Sequence, residues 1–300
     1  MKTFRYEVPP TANGKRLQDF LRGSHRYSHR LIVELKRGGM TVNGAHRRMV
    51  DPVFTGDMVE ITFQEEPCTL VPNGSLSVPV VYEDEDLIIF DKPANMSVHP
   101  AADGVDDSLG NFFAYRYENR LTFRPVSRLD KNTTGLCMSA KSTLSAGLLI
   151  GTVEKEYLAV AEGILPDDEG TITTPIGRVE GSIILRRPDP NGQSAVTHYR
   201  VLRRSEDCTL VSVRLETGRT HQIRVHFASI GHPLAGDDLY GGRRDRIGRQ
   251  ALHCAKQTFR VPEYTEVPDG ICIRTPVSAG TGRTVTVESP LPQDMADLLS

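Results

Sequence analysis

The 300-residue sequence predicts an α+β fold in which a small α+β domain precedes a larger domain built on a mixed or antiparallel sheet. Segments with strand-like apolar patterns are numerous, whereas segments with helical spacing are short and scattered. A stretch rich in proline and glycine at residues 65–79 is typical of a linker. We therefore predict a small domain at residues 1–64 and a larger domain at residues 80–300.

Composition bounds the class of protein. Hydrophobic residues make up 38% and charged residues 25% of the chain, which is typical of a globular protein with one large core and a small satellite domain. The five cysteines occur singly, which argues against a disulfide framework or a zinc site. The N-terminus lacks an apolar signal segment, and no apolar run reaches membrane-spanning length. We expect a cytoplasmic monomer without a metal or a membrane partner.

Basic residues concentrate near the N-terminus. Residues 14–48 contain nine Lys or Arg residues against Asp19 and Glu34, a local charge of +7. The rest of the chain holds 27 basic and 36 acidic residues, a charge of −9. A basic cluster on an acidic background is typical of a phosphate-binding module. The alternative is a solvated helix face, which is the usual reason for a run of charge.

The small domain shows two helices followed by strands. Apolar residues recur at helical spacing in residues 15–22 and again in residues 29–37, where two glycines end the second helix. Asn43-Gly44 predicts a type I′ hairpin turn, and strict alternation at residues 59–63 predicts a half-buried strand.

The larger domain is predicted to consist mainly of strands. Predicted strands lie at residues 80–82, 87–90, 153–160, 196–202 and 210–215, and predicted helices at residues 109–118, 142–150 and 220–230. Residues 163–192, rich in glycine, proline and aspartate, predict an irregular excursion.

One polar segment, Ser127 to Leu136 (SRLDKNTTGL), combines a carboxylate with a hydroxyl-rich, glycine-containing turn. In an extended strand Arg128 and Asp130 would share one face while Leu129 packs inward. An isolated Arg and Asp in this arrangement are more commonly a surface ion pair. The other segments of the chain favour a site at Asp130.

A second polar segment, Thr217 to His226, opens a helix that Thr220 is predicted to cap. His221 and Arg224 are neighbours at i and i+3, and both lie off the apolar stripe of the helix. A guanidinium here can hold a carboxylate or a phosphate in bidentate fashion. The alternative, a solvated basic face, is equally compatible with this helix alone.

Together, SRLDKNTTGL, KEYLAV, the run TGRTHQIRVHFASIGHPLAGDDLYG and LHC resemble the RluA-type pseudouridine synthases over roughly residues 80 to 290. The small domain, with its basic helix, "VNG" and a "GDxVxI" strand, resembles the RNA-binding domain named after small-subunit ribosomal protein S-four. That second resemblance implies RNA contacts for five residues of the small domain, Arg26, Arg30, Lys36, Arg37 and Arg47.

The resemblance implies conversion of uridine to pseudouridine in structured ribosomal or transfer RNA, without a cofactor. It implies that Asp130 is the family's reacting aspartate, Tyr157 its ring-stacking tyrosine and Arg224 the basic partner of the aspartate. A carboxylate beside the ribose can attack C1′ or remove a ribose proton, and both routes remain open. The family usually has His or Asn where this chain has Ser127.

Five further residues near these segments receive a predicted role. Arg219 and His221 are predicted to contact substrate or RNA, and Arg128 is predicted either to fill the stack left by a flipped base or to pair with Asp130. Lys92 is predicted to be structural, and Tyr240 is predicted to belong to the core. The rival functions are a catalytically silent RNA-binding protein and a carboxylate-dependent nucleosidase acting on a free small molecule.

Overall fold

The structure is a computed structural model. It describes residues 2–25, 27–36, 39–63, 66–102, 104–261, 264–266, 271–274 and 283–300, and it describes the side chains of these except at residues 2, 30, 264–266 and 271–274. Within this part of the chain, no helix is long and apolar enough to cross a membrane.

The described chain contains seventeen strands and six α-helices. The strands are β1 Lys2–Glu7, β2 Met40–Val42, β3 Met58–Phe63, β4 Val80–Glu83, β5 Leu87–Lys92, β6 Arg124–Pro125, β7 Thr134–Ala140, β8 Glu154–Glu162, β9 Glu169–Ile172, β10 Ile176–Arg178, β11 Arg186–Pro188, β12 Thr197–Arg204, β13 Cys208–Leu215, β14 Leu252–Val261, β15 Tyr264–Glu266, β16 Ile271–Arg274 and β17 Arg283–Glu288. The helices are α1 Leu17–His25, α2 His29–Leu35, α3 Leu109–Arg116, α4 Thr143–Leu149, α5 Gln222–Ser229 and α6 Gln293–Ala296.

The predicted fold class is confirmed by one large mixed sheet with few helices. Eight of its strands run in the order β4-β5-β7-β14-β8-β13-β12-β9, with β6 added beside β7 and β17 beside β14. Strands β7 and β14 pair in parallel, and the other pairs are antiparallel. Gly135 allows this parallel contact, because a Cβ there would lie 2.4 Å from the carbonyl oxygen of Cys254. The sheet therefore brings the end of segment 127–136 directly beside β14 and β8.

The N-terminal part folds around its own apolar core. Strands β15-β16-β1-β3-β2 form a five-stranded sheet, in which β16 joins β1 in parallel although it comes from the far end of the chain. Both predicted helices and the strand at β3 are present. Asn43 and Gly44 have φ values of 51° and 77°, as a type I′ turn requires.

The N-terminal core and the larger sheet meet at helix α4. Leu144 of α4 belongs to the apolar cluster of the N-terminal part. Gly147 lies so close to Leu31 of α2 that an added Cβ would lie 2.3 Å from the Leu31 Cδ1 atom. Residues 151–154, which follow α4, line the cleft described below. The division at residues 1–64, 65–79 and 80–300 remains a proposal.

Three local predictions are wrong. Residues 127–130 are not a strand, because they bend into the turn that precedes β7. The excursion at residues 163–192 contains three short strands, β9, β10 and β11, whose three or four residues are too few to show a clear alternation. Helix α5 begins at Gln222 and ends at Ser229, so it is shorter than the predicted helix at 220–230 and Thr220 does not cap it.

Candidate active site

A cleft of about 1380 Å³ opens at the end of the large sheet where segments 127–130 and 214–221 meet. Segment 127–130 forms one side, β8 and the loop before it form the floor, and segment 214–221 closes the other side. Arg178 and Arg186 reach the cleft from the β10–β11 hairpin. Most of the ionisable lining residues are basic, so the cleft suits a polyanion.

Asp130 is held in a tight turn at the cleft wall. Its carbonyl oxygen accepts a hydrogen bond from the Thr133 amide at 3.1 Å. Leu129 is buried beside it and Arg128 is exposed, so neighbouring side chains point in opposite directions although no strand forms here. The Asp130 side chain is 29% exposed. The carboxylate is thus fixed in direction and still reachable from solvent.

Lys92 holds this turn in place through its ammonium group. Its ammonium group is fully buried and donates to the carbonyl oxygens of Pro93 at 2.8 Å, Met96 at 2.7 Å and Lys131 at 3.0 Å. Burial lowers the pKa of Lys92 to about 8. Since Lys131 directly follows Asp130, the contacts support the structural role predicted for Lys92.

Arg224 links Asp130 to a second carboxylate. Its Nη1 atom donates to Oδ2 of Asp130 at 3.1 Å, and its Nε and Nη2 atoms donate to the two oxygens of Asp237 at 2.7 Å each. Arg224 is 4% exposed and the Asp237 side chain is completely buried. Burial works against the charge of Arg224, but the hydrogen bonds that Arg224 donates to Asp237 outweigh it and raise the pKa of the guanidinium. Arg224 therefore stays charged beside Asp130.

The solvated-face alternative for helix α5 is wrong. Residues Gln222 to Phe227 are all buried, so this short helix packs on every side and does not present a basic face to water. Asp237 makes burial of Arg224 possible, because a buried guanidinium needs a bidentate partner. Sequence reasoning missed Asp237, although it lies in the GDDLYG run that contributes to the family resemblance.

Tyr157 lies on β8 in the floor of the cleft and is 7% exposed. Strand β14 places Cys254 opposite Tyr157 in the sheet. Burial raises the pKa of the Tyr157 hydroxyl well above its ordinary value, with the nearby Cys254 thiol and Asp130 acting in the same direction. The hydroxyl therefore stays protonated. Lys155 lies on the same strand and also lines the cleft.

His221 occupies the N-cap position of α5 with a φ of 58°, in the left-handed region. Its Nε2 atom lies 3.8 Å from Oδ2 of Asp130. The next residue, Gln222, pins the loop by accepting from the Thr217 hydroxyl and the Arg219 amide and by donating to the Val196 carbonyl. Tyr240, predicted to belong to the core, packs against a small buried cluster of Ile176, Ala195 and Val225. It also borders this site, with its ring centroid 5.0 Å from the Arg224 guanidinium carbon.

The remaining predicted residues divide into three groups. Arg128 and Arg219 line the cleft, and Arg219 Nε donates to the Ser194 carbonyl oxygen at 2.9 Å. Lys36 and Arg47 are exposed on the N-terminal part. Arg26 and Arg37 lie outside the described residues, and Arg30 belongs to α2 but its side chain is not described. In the described part of the chain Arg128 makes no ion pair with Asp130, which pairs with Arg224 and has His221 at 3.8 Å.

Comparisons with known proteins converge on one family. The family model described as RNA pseudouridylate synthase matches residues 86–229. The uncharacterized RNA pseudouridine synthase YjbO of Bacillus subtilis is 38% identical over 286 residues, which cover 91% of this chain and 94% of the relative. Ribosomal large subunit pseudouridine synthase D of Pseudomonas aeruginosa is 38% identical over 306 residues, covering 98% of this chain and 94% of the relative.

A solved structure extends the similarity to the fold. The structure of human RNA pseudouridylate synthase domain containing 1 superposes with a TM-score of 0.52 at 25% identity. The superposition covers 77% of this chain and 97% of the human chain.

Proposed function

This chain belongs to the RNA pseudouridine synthases, and we propose that it isomerises particular uridines of structured ribosomal or transfer RNA with Asp130 as the reacting carboxylate. The observation that carries the proposal is the buried Asp237–Arg224 pair, in which Arg224 also donates from Nη1 to Asp130 at the cleft wall. A guanidinium fixed in this way pairs with Asp130 and holds its carboxylate in one direction.

The two oxygens of Asp130 have different roles. Oδ2 accepts from Arg224 and faces His221, whereas Oδ1 makes no hydrogen bond to the described part of the chain. Oδ1 is therefore the oxygen available to the substrate. It either attacks C1′ of the ribose or removes a ribose proton, and in both cases the bond between C1′ and N1 of the uracil breaks.

Tyr157 supplies the surface on which the freed uracil turns. After the bond breaks, the base must rotate within the cleft until C5 faces C1′. A bond between C1′ and C5 then forms and C5 gives up its proton. On the attack route the bond from Asp130 to C1′ breaks in this step, and on the other route the ribose proton returns to C2′. A flat aromatic ring holds a base by stacking without fixing its edges. Because the Tyr157 hydroxyl stays protonated, the ring adds no negative charge that would repel the uracil anion.

The N-terminal part is proposed to deliver RNA to the cleft. We assign residues 1–64 to an S-four-like RNA-binding domain, with Lys36 and Arg47 among its phosphate contacts. Such contacts set position more than sequence choice. Its α2 packs on α4, whose next residues line the cleft, so the basic surface lies on the same body as Asp130. Arg128, exposed at the rim, is proposed to fill the stack that a flipped uridine leaves.

Release of tritium from RNA containing 5-tritiated uridine tests the activity, because C5 loses its hydrogen when pseudouridine forms. We expect wild-type protein to release tritium and Asp130→Asn to release none while binding RNA with nearly unchanged affinity. Asp168→Asn is the matched control, since Asp168 is 85% exposed and pairs with Arg204 away from the cleft.

Two outcomes would support the rival functions. RNA binding without any tritium release by the wild type would support a silent RNA-binding protein. Activity on free uridine that does not depend on salt would support a nucleosidase, because binding through phosphates weakens with salt.

The target RNA, the cellular compartment and the oligomeric state are also proposals. The name of the Pseudomonas aeruginosa relative refers to the large ribosomal subunit, so we propose ribosomal RNA as the first target to examine and transfer RNA as the second. Mapping pseudouridines by position in cells lacking the protein identifies the site. We propose a cytoplasmic monomer, which cell fractionation and mass measurement in solution test.

A further inference from the structure

His221 is the second side chain that faces Asp130. Its Nε2 atom lies 3.8 Å from Oδ2, and its side chain is only 10% exposed. That distance is too long for a hydrogen bond and leaves the Nε2 position free for a substrate atom beside the carboxylate. Both residues line the same cleft.

The hydrogen bonds of Tyr240 indicate which nitrogen of His221 carries the proton. The Tyr240 oxygen accepts the backbone N–H of Arg186 at 3.1 Å and lies 2.7 Å from Nδ1 of His221. Since its other partner in the described part of the chain is a donor, the Tyr240 hydroxyl hydrogen is left for Nδ1. His221 then carries its proton on Nε2, which the negative charge of Asp130 also favours.

The protonation state of His221 determines how many N–H groups its ring can offer. Burial lowers the pKa of His221 below its ordinary value, although the nearby Asp130 carboxylate acts against this. The imidazole is therefore neutral near pH 7 and has a single N–H to offer. The groups around the ring are Asp130, Arg224, Asp237 and Arg186.

The backbone of His221 is held in an unfavourable conformation. A non-glycine residue at a φ of 58° is uncommon, and such conformations concentrate at functional sites. At the N-cap of a helix a polar side chain normally accepts from the first turn, but His221 makes no such bond. The side chain is instead held by Tyr240 with Nε2 towards the cleft.

Ribose stereochemistry identifies the substrate atom. In a ribonucleoside the base lies on one face of the ring and the 2′-hydroxyl on the other. Attack on C1′ opposite the base brings the carboxylate to the face of the 2′-hydroxyl. Removal of the C2′ proton takes place on the face of the base, at the carbon that bears O2′. On the attack route a donor next to Asp130 lies beside O2′, and on the proton-removal route the carboxylate acts at the carbon to which O2′ is attached.

We propose that His221 is a specificity-determining residue that donates its Nε2–H to O2′ of the target uridine, and that Tyr240 is the positioning residue that sets its tautomer. This inference rests on the proposed function of Asp130. Recognition of the 2′-hydroxyl is how a protein tells RNA from DNA at one nucleotide.

A thermodynamic cycle that combines one change in the substrate with one change in the enzyme tests the proposal. Two RNAs are compared that differ only at the target nucleotide, uridine in one and 2′-deoxyuridine in the other. We expect wild type to prefer uridine and His221→Asn to lose about tenfold to a hundredfold of that preference, the order expected for the loss of one hydrogen bond. Asn tolerates a positive φ but is too short to reach O2′.

Three further variants separate recognition from folding. His221→Gln, whose amide nitrogen reaches the Nε2 position, is expected to regain part of the preference. Tyr240→Phe keeps the ring over Arg224 and removes the hydroxyl, and it should reduce the preference and shift the His221 ¹⁵N signals away from the Nε2–H tautomer. Tyr199→Phe, outside the cleft, is the control and should change neither.

The outcomes distinguish the inference from the proposed function. If wild type turns over neither RNA, the proposed function fails. If wild type is active and His221→Asn keeps the full preference for uridine, or if the ¹⁵N spectrum shows the proton on Nδ1, the role of His221 is refuted while the role of Asp130 stands.

Discussion

Arg224 donates from Nη1 to Oδ2 of Asp130 over 3.1 Å, although 94 residues separate the two in sequence. Asp237 fixes the other edge of the guanidinium with two bonds of 2.7 Å. The guanidinium that orients the reacting carboxylate is therefore itself fixed by a second carboxylate. The predictions that follow test this arrangement and the surfaces around it.

Replacing Asp237 with Asn should impair both stability and turnover. The variant leaves the buried Arg224 without its full counter-charge, and breaking a buried pair typically costs about 3 to 5 kcal/mol. We expect a loss of that order in the free energy of unfolding, measured with urea, and a fall in kcat of at least about tenfold.

The control for Asp237→Asn is Asp168→Asn, which disrupts an exposed pair worth at most about 1 kcal/mol. Equal stability of the two variants would contradict a supporting role for Asp237.

Removing the aromatic ring of Tyr157 should lower turnover more than RNA affinity. Tyr157→Leu keeps an apolar side chain but removes the stacking face, which is worth about 1 to 3 kcal/mol for a base. We expect kcat to fall by about tenfold to a hundredfold, with Tyr157→Phe retaining more activity than Tyr157→Leu. Tritium release at saturating RNA measures this. A Leu variant as active as the Phe variant would exclude stacking on this ring.

The sequence predicts the fold class and most elements of the sheet, because apolar alternation and turn residues are local signals. It also brings Asp130, Tyr157 and Arg224 into one hypothesis through the family resemblance. Local patterns do not show that residues 222–227 would be buried on all sides, since that depends on the hairpin and sheet packed around α5. For this reason the sequence alone leaves open that Arg224 lies on a solvated helix face.

Asp237 and Tyr240 were missed because their roles depend on tertiary contacts. Neither lies in a pattern that suggests chemistry by itself, and Tyr240 looks like an ordinary apolar residue beside two glycines. Their partners, Arg224, His221 and Arg186, come from two other segments of the chain. In the same way, no periodicity predicts that β16 would join the N-terminal sheet in parallel with β1.

Arg128→Ala should slow modification of a structured RNA more than that of an unstructured one. Arg128 is exposed at the rim and has no ion pair in the described chain that would make it part of the resting site. Flipping a base out of a helix costs a few kcal/mol, which a side chain that fills the gap partly offsets. The two rates are compared on a stem and on a single strand containing the same uridine. Equal rates on both, at the wild-type level, would refute this role.

Neutralising the N-terminal basic surface should flatten the salt dependence of RNA binding. A variant with Lys15, Lys36 and Arg47 all changed to Ser removes three exposed charges without opening the core. Each lost phosphate contact reduces the slope of log K against log salt by about 0.7 to 0.9. Filter binding at several salt concentrations measures the slope. A matched variant with Arg120, Arg203 and Arg260 changed to Ser should keep the wild-type slope, and identical slopes for both variants would make the N-terminal cluster a solvated face.

Lys92→Met should destabilise the protein, and the difference should grow with pH. The Met side chain fills the same space but leaves the carbonyl oxygens of Pro93, Met96 and Lys131 without their donor, at about 1 to 3 kcal/mol for each buried group left unpaired. The pKa of Lys92 is about 8 in the folded protein against 10.5 for an ordinary lysine. Between these values the unfolded chain binds more protons than the folded one, so raising the pH stabilises the wild type.

The Lys92→Met variant has no ammonium group that could lose a proton on folding. The difference in unfolding free energy between wild type and Lys92→Met should therefore widen from pH 8 to pH 10.5. Taking the difference between the two proteins cancels the titration of the cysteines and tyrosines, which both chains share. Urea unfolding at pH 7, 8, 9 and 10 measures the gap. A constant gap would show that Lys92 does not release its proton in this window, whereas a variant as stable as wild type at pH 7 would show that the three carbonyl contacts do not hold the Asp130 turn.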